Sequence, residues 1–373
     1  LSVVSGVPIT PGESLLFIDE LQQSSEALLS LRYFYEKMPS LHVVAAGSLL
    51  DFMIEDDPEL RVPVGRVEYA FMQPLAFTEF LLALGENTAH QFITSLTKPT
   101  QIPEALHTKL LELFNQYVIC GGMPAVVRAY QNSKIDLRYR QIQADLLKSY
   151  RDDFRKYRSR IGNDKLEEAF EALGKFAAKE FTFSDICPEF SIASTKRILT
   201  LFRKARLISQ VRRSLGQGLP LGAQVKGTAY KYIFLDVGLL NTLGGVMQLP
   251  SQWNLDLVNS GAIAEQVVGQ ELLTLSEEVL EPELFFWKRD KAGSDAEVDY
   301  LLPLDGKVIP IEVKAGSTGR LRSLRIFIDQ MKIPFGVRIS QHNLSYHEQV
   351  LSVPLYAISQ LKTLCRWQMM QSK

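Results

Sequence analysis

Residues 297–314 read Glu-Val-Asp-Tyr-Leu-Leu-Pro-Leu-Asp-Gly-Lys-Val-Ile-Pro-Ile-Glu-Val-Lys, with Asp305-Gly306 at the middle. Asp-Gly suits a two-residue hairpin, because its type I′ turn needs positive φ at both central positions. Folding the stretch there sets Asp299 opposite Glu312 and Glu297 opposite Lys314. Side chains alternate with period two along a strand, so these four charged residues share one face. Val298, Tyr300, Leu302, Leu304, Ile309, Ile311 and Val313 share the other, which reads as a core face. Carboxylates directly opposite one another repel, and a divalent cation between them would offset that cost. Oxygen ligands with no His or Cys nearby in sequence point to Mg²⁺ or Mn²⁺. Lys314, two residues past Glu312, is placed to steady a water or a developing anionic charge. The other reading of the same residues is an exposed hairpin whose acids and lysine form weak ion pairs.

Around this hairpin the last third reads as a helix (262–275), an aromatic strand (284–287), the hairpin itself and a helix (321–331). Upstream, residues 184–187 and 194–205 suit two short helices. A strand (207–213), a tip with Gly216, Gly218 and Pro220, and a returning strand (230–236) follow. Two helices and a glycine-tipped hairpin spell a winged helix-turn-helix. Lys196, Arg197 and Arg203 lie on its second helix, where a recognition helix faces phosphates. Residues 191–213 carry seven basic side chains and no acid, and residues 128–160 carry ten against four Asp. These are local patches, since 41 Lys+Arg against 42 Asp+Glu leave a net charge of −1 and no global field for a polyanion. Nucleic acid is the expected partner of this helix, with a plain protein-binding module as the competing reading.

The start of the chain carries a different pattern. Leu15-Leu16-Phe17-Ile18 is a short apolar run ending in Asp19-Glu20. An amphipathic stretch, 25–38, and a second apolar run, 41–46, ending in Gly47-Ser48, complete a βαβ unit with both strands buried. Four apolar residues followed by Asp-Glu form the Walker B pattern, in which the Asp holds Mg²⁺ and the Glu orients the attacking water. Ser48 at the next strand end is a candidate γ-phosphate sensor, and Arg66 could reach a phosphate from a neighbouring subunit. No G-x-x-x-x-G-K-[ST] string occurs in these residues, so ATP is expected as a ligand only with such a segment upstream. The chain starts with Leu, which reads as a beginning inside an ATPase domain, with a degenerate ATPase as the alternative. Residues 87–101 turn polar and read as a linker, with helices from 104 to 180.

At 373 residues, 46% hydrophobic and 22% charged, the chain is globular and long enough for several domains. Three scattered cysteines and no membrane-length apolar run suit a reducing, cytoplasmic interior. No H-E-x-x-H, zinc-spaced Cys/His set or G-x-S-x-G elbow is present.

The string Pro11-Gly12-Glu13-Ser14-Leu15-Leu16-Phe17-Ile18-Asp19-Glu20-Leu21-Gln22 resembles the prokaryotic family of AAA-type P-loop ATPases that end in a domain of unknown function 4143. Ala46-Gly47-Ser48, Val64-Gly65-Arg66, Pro74–Phe80, Gly121-Gly122-Met123-Pro124 and Lys231–Leu239 are similar to it too, as are Glu297-Val298-Asp299-Tyr300 and Ile311-Glu312-Val313-Lys314. The Asp299, Glu312, Lys314 spacing resembles the PD-(D/E)XK nuclease core, and Glu265 on the preceding helix matches the extra acid such folds bring to the metal.

The resemblance implies an α/β multidomain chain. Its expected parts are a partial ATPase core (1–86), a helical connector (87–160), a winged helix (161–250) and a restriction-endonuclease-like domain (251–373). The leading expectation is a DNA-associated ATPase-family protein with a metal-dependent nuclease-like domain, metal at Glu265, Asp299 and Glu312, and oligomerisation left open. The competing expectation is a non-enzymatic, nucleotide-switched DNA- or protein-binding adaptor with a vestigial nuclease fold, favoured if Lys314 is held in a buried structural ion pair with no cleft above it.

Overall fold

The computed structural model describes residues 6–47, 65–133, 137–154, 162–245, 260–276, 279–290, 296–316 and 320–371. The chain forms two compact units: one holds the chain up to Phe71 with Thr200–Leu207 and a short later piece, and the other holds the remainder.

In the first unit, β1 (Leu15–Ile18) and β2 (His42–Ala45) pair in parallel, with Leu15 beside His42 and Ile18 beside Ala45. Between them runs α1 (Ser25–Lys37). Ser24 caps it by accepting the Ala27 N–H at 3.1 Å, and Pro39 follows its end. Leu21 and Leu28 are buried under Ile18, Leu31 and Ala45. The βαβ order is as expected, but the strands are not buried on both faces. Leu16 and Ile18 are half-buried, whereas Leu15 and Phe17 are 61% and 56% exposed. Period-two alternation aims the two pairs at opposite faces, and α1 covers one.

The second unit opens with helices α2 (Phe77–Ala83), α3 (Asn87–Thr94), α4 (Glu104–Cys120), α5 (Pro124–Asn132) and α6 (Arg138–Asp153). The stretch expected to be a linker therefore holds α3, which buries Ala89 and Ile93 one turn apart. Next come α7 (Asn163–Phe176), β3 (Glu180–Phe181), α8 (Phe183–Ile186), α9 (Ile192–Lys204), whose last turn belongs to the first unit, β4 (Ile208–Ser214) and β5 (Val225–Phe234). Asp236 does not continue β5. It caps α10 (Val237–Leu243), accepting the Leu239 N–H at 3.0 Å. Then follow α11 (Ser260–Thr274), β6 (Leu284–Lys288), β7 (Glu297–Val298), β8 (Tyr300–Leu304), β9 (Lys307–Val313) and α12 (Arg322–Met331). The chain finishes with β10 (Gly336–Ser340), β11 (Ser345–His347), β12 (Val350–Pro354) and α13 (Leu361–Gln371).

Two five-stranded sheets result, in the orders β3-β5-β4-β6-β7 and β11-β12-β10-β9-β8. The hairpin β4–β5 is antiparallel, β3 pairs with β5, and β6 runs parallel to β4. Hence the first sheet joins the expected winged region to the C-terminal region. One apolar cluster extends from Phe77 on α2 to Met369 on α13.

Buried polar groups fasten this core at the crossing of α4, α10 and α11. The Asp236 carboxylate accepts the Gly122 N–H at 2.7 Å. Gln270 accepts the Val237 N–H at 2.8 Å and donates to the Tyr117 hydroxyl at 3.0 Å. Glu271 accepts the Phe77 N–H at 2.9 Å. Three strings that resemble the ATPase family, around Phe77, Gly122 and Asp236, are thus structural partners of one another. The Tyr117 oxygen lies 2.9 Å from both Leu75 O and Glu271 Oε1. One hydroxyl hydrogen serves only one of them, and a proton on Glu271 completes the set.

Burial pushes the Glu271 carboxyl up from 4.5 to about 7. An acid whose folded-state pKa is raised contributes stability that is complete below the unfolded value and is lost as pH rises through the folded one. Glu271→Gln keeps, in its amide oxygen, a neutral acceptor for the Phe77 N–H and the Tyr117 hydroxyl without the titration. Its stability relative to wild type is expected to improve between about pH 5 and pH 8, by up to about 3 kcal/mol, read from urea midpoints. Parallel pH profiles for the two proteins would contradict this assignment.

Candidate functional site

The turn at residues 305–306 is as the dipeptide dictates, with φ of 46° at Asp305 and 80° at Gly306. The ladder pairs Tyr300 with Ile311 and Leu304 with Lys307, the register read from the sequence. That ladder stops at Tyr300. Asp299 is a bend, and β7 leaves for β6, where Glu297 pairs with Lys288. Glu297 therefore does not stand opposite Lys314, and Val298 joins Trp287, Leu301 and Phe327 in a cluster apart from the one holding Tyr300. The bend ends the simple alternation and swings the Glu297 side chain toward Lys231.

Asp299 and Glu312 are both buried, so the exposed-hairpin reading does not hold. Asp299 Oδ2 accepts the Val313 N–H at 2.7 Å. Glu312, 5% exposed, takes the Lys314 ammonium on Oε1 at 2.7 Å, while its Oε2 is buried without a hydrogen-bond partner. Arg338, the register neighbour of Glu312 on β10, donates instead to Ser352 Oγ at 2.9 Å.

Glu265 is brought to the same place by α11. Gln266 grips β5, accepting the Phe234 N–H at 2.7 Å and donating to the Phe234 carbonyl at 2.8 Å. One turn past Glu265, Gly269 lets the helix approach the sheet: a Cβ there would lie 2.5 Å from the Tyr300 hydroxyl. That hydroxyl donates to the Glu265 carbonyl at 2.7 Å. With α11 pinned to both strands, the Lys231 side chain of β5 extends between them.

Lys231 is the residue that sequence reasoning missed. It is 1% exposed, with Nζ 2.7 Å from Glu265 Oε2 and 3.2 Å from Glu297 Oε1. The Phe286 and Tyr300 rings lie 5.7 and 5.8 Å from the ammonium. A signal was present: Lys231 shares strand parity with Ile233, which is wholly buried.

Electrostatics mark these residues as one cluster. Burial works against the Lys231 charge, but the carboxylates of Glu265, Asp299 and Glu297 hold its pKa well above that of an ordinary lysine. Burial, then the Asp299 charge, pushes Glu265 up to about 8 and Glu312 up to about 7. Lys314 is also raised: burial opposes its charge and Glu312 favours it. Among the described residues, no group of three or more Asp, Glu, His or Cys side chains is arranged to hold a metal ion. Glu265, Asp299 and Glu312 come together as the sequence suggested, yet as arranged they do not fit a metal centre. The cation among them is an ammonium.

The remaining candidates lie elsewhere. Asp19 and Glu20 are exposed past the end of β1. Asp19 Oδ1 accepts the Glu20 N–H at 2.9 Å, and Glu20 Oε2 accepts from Gln22 Nε2 at 2.6 Å. Arg66 pairs through Nε with Glu36 at 2.9 Å. Ser48 lies outside the described residues. Lys196, Arg197 and Arg203 are exposed along α9.

Removing one partner of a buried ion pair leaves an uncompensated charge, which costs about 3–5 kcal/mol. Lys231→Met is expected to lose stability of that order. Lys314→Met should lose distinctly less, because the Lys314 side chain is 29% exposed. Urea denaturation of both variants checks the ranking, and equal losses would refute it.

Comparison with known families agrees with both ends of the resemblance. Residues 3–81 match an AAA domain, residues 111–250 a domain of unknown function (DUF8612), and residues 260–358 a domain of unknown function (DUF4143). No curated protein and no solved structure matches the chain. No helix among the described residues is long and apolar enough to cross a membrane. Glu265, Asp299, Glu312 and Lys314 all fall in the DUF4143 match and Lys231 in the DUF8612 match, so the cluster is assembled from both. The chain joins an AAA domain, and with it ATPase-type character, to two domains of unknown function.

Proposed function

We propose that this is an ATPase-family adaptor whose C-terminal domain keeps a nuclease-like fold as a non-cutting scaffold, while α9 offers a nucleic-acid surface. The observation that carries the first part is Lys231 Nζ seated between Glu265 and Glu297. A nuclease of the kind the sequence suggested needs its carboxylates for a metal and its lysine for the water. Here Glu265 is committed to Lys231 and Lys314 to Glu312.

Support for the second part comes from element order. The succession α7, β3, α8, α9, β4, β5, with β3 and β4 flanking β5, follows the order expected of a winged helix and supports that reading. In that reading α9 is the recognition helix. It presents Lys196, Arg197 and Arg203 to solvent, and it buries Thr195, Ile198 and Leu199. Phosphate contacts would position such a helix without reading bases. ATP would serve as the switch only with a phosphate-binding segment upstream.

Two measurements test this reading. Titration of the wild-type chain with Mn²⁺ is expected to show no saturable binding and, with Mg²⁺ or Mn²⁺ present, no cleavage of DNA or RNA. Saturable Mn²⁺ binding would overturn the scaffold assignment. Duplex DNA affinity should fall with salt at a logarithmic slope of about −0.9 per phosphate neutralised. Replacing Lys196, Arg197 and Arg203 together by Ala should flatten that slope. Absence of binding at low salt removes the nucleic-acid surface from the proposal and leaves a protein partner.

A further inference from the structure

We infer that Glu312 has two alternative cation partners, Lys314 and Arg338, and that exchanging the first for the second frees the Lys314 ammonium. The exchange goes beyond the scaffold reading, since it gives this part of the sheet a second state. Arg338 and Glu312 are register partners on the parallel strands β10 and β9, so their side chains leave one face of the sheet from backbones about 4.8 Å apart. Arg338 nonetheless turns to its other register neighbour, donating from Nη2 to Ser352 Oγ at 2.9 Å. Its Nε is buried without a hydrogen-bond partner, and burial, unopposed, lowers its pKa. Glu312 Oε2 is the matching acceptor, likewise buried and without a partner. Buried polar atoms are ordinarily satisfied, yet here a donor and an acceptor are left over on adjacent positions.

Side-chain rotation alone lets the two meet. The Lys314 N–H donates to the Ile339 carbonyl at 2.9 Å, so β9 and β10 stay laddered past both residues. The guanidinium carries five N–H donors in a fixed fork, and turning Nε to Glu312 satisfies both leftover atoms at once. The Ser352 hydroxyl that it leaves rotates and both donates and accepts, so it re-pairs more readily than a carboxylate does. Lys314 is the partner able to depart. Its side chain is 29% exposed against 7% for that of Glu312, so the ammonium returns to water while the carboxylate stays inside. Lys231 cannot take its place, because Glu265 and Glu297 hold that ammonium. An anionic group arriving from solvent would favour the exchanged state, since it stabilises only the freed ammonium.

The test is a double-variant cycle on the full chain, read as the unfolding equilibrium constant from urea titrations. Lys314→Met and Arg338→Met each remove one cation and leave the other to take over Glu312. The double variant should therefore be destabilised at least about ten-fold beyond the product of the single effects. In a Glu312→Gln background that excess should vanish. Single effects that simply multiply overturn the inference. A second measurement needs only chains that fold: acylation of Lys314 by a water-soluble amine reagent, read by peptide mass spectrometry. Wild type should label at least about two-fold faster than Arg338→Met, in which Glu312 has no second partner to exchange to. Glu312→Gln, which releases Lys314 altogether, should label faster than both. Equal labelling of wild type and Arg338→Met overturns the exchange, and it does so whatever the outcome of the Mn²⁺ and cleavage tests of the scaffold reading.

Discussion

A buried ammonium is among the most demanding groups a core can hold, and the region around Lys231 is organised by that demand. Transferring the charge out of water costs several kcal/mol, which close, well-placed carboxylates must offset. Glu265 reaches it from α11 and Glu297 from the β7 strand, so the pair of contacts ties helix, hairpin β4–β5 and β7 to one point. Each of those elements needs a reason to stop there. The bend at Asp299 releases Glu297 from the β8–β9 ladder, Gly269 admits the Tyr300 hydroxyl, and Gln266 holds β5 to α11. The same point of contact lies along a first sheet that runs through from β3, β5 and β4 to β6 and β7.

A second polar point, at Asp236, follows the same logic with backbone donors instead of a cation. Its carboxylate serves the Gly122 N–H in the connection between α4 and α5 and the Leu239 N–H, an otherwise unsatisfied donor in the first turn of α10. Burial raises its pKa, which those N–H donors and Gln270 counter. Helix α11 supplies Gln266, Gln270 and Glu271 to these contacts and Glu265 to the Lys231 cluster. A helix buried on nearly all sides thus spends its polar residues on specific partners. Residues from strings that resemble the ATPase family, such as Gly122 and Asp236, hold the core together.

The sequence by itself determined the local chemistry. Asp305-Gly306 set the turn and thereby the register, since a two-residue loop leaves the strands no slack. Period-two and helical spacing placed β1, α1, β2, α11 and α12 to within a few residues, and the resemblance to an AAA domain and to DUF4143 was already carried by short strings. The same reading located Glu265, Asp299, Glu312 and Lys314 as neighbours. It misjudged residues 87–101, where polar composition masked the Ala89 and Ile93 spacing of a short helix.

What only the tertiary structure decided was which cation those carboxylates meet. Lys231 lies 34 residues from Glu265 and 66 from Glu297 in the chain, a separation that no local period encodes. Its approach depends on β5 and β6 flanking β4 in one sheet and on α11 lying against β5. Those are consequences of packing a continuous core from Phe77 to Met369, where close helix–strand contact brings together side chains distant in sequence. A strand lysine flanked by aromatics is equally compatible with solvent or with burial when read alone. Its ion pairs in a low-dielectric interior make burial the stable outcome.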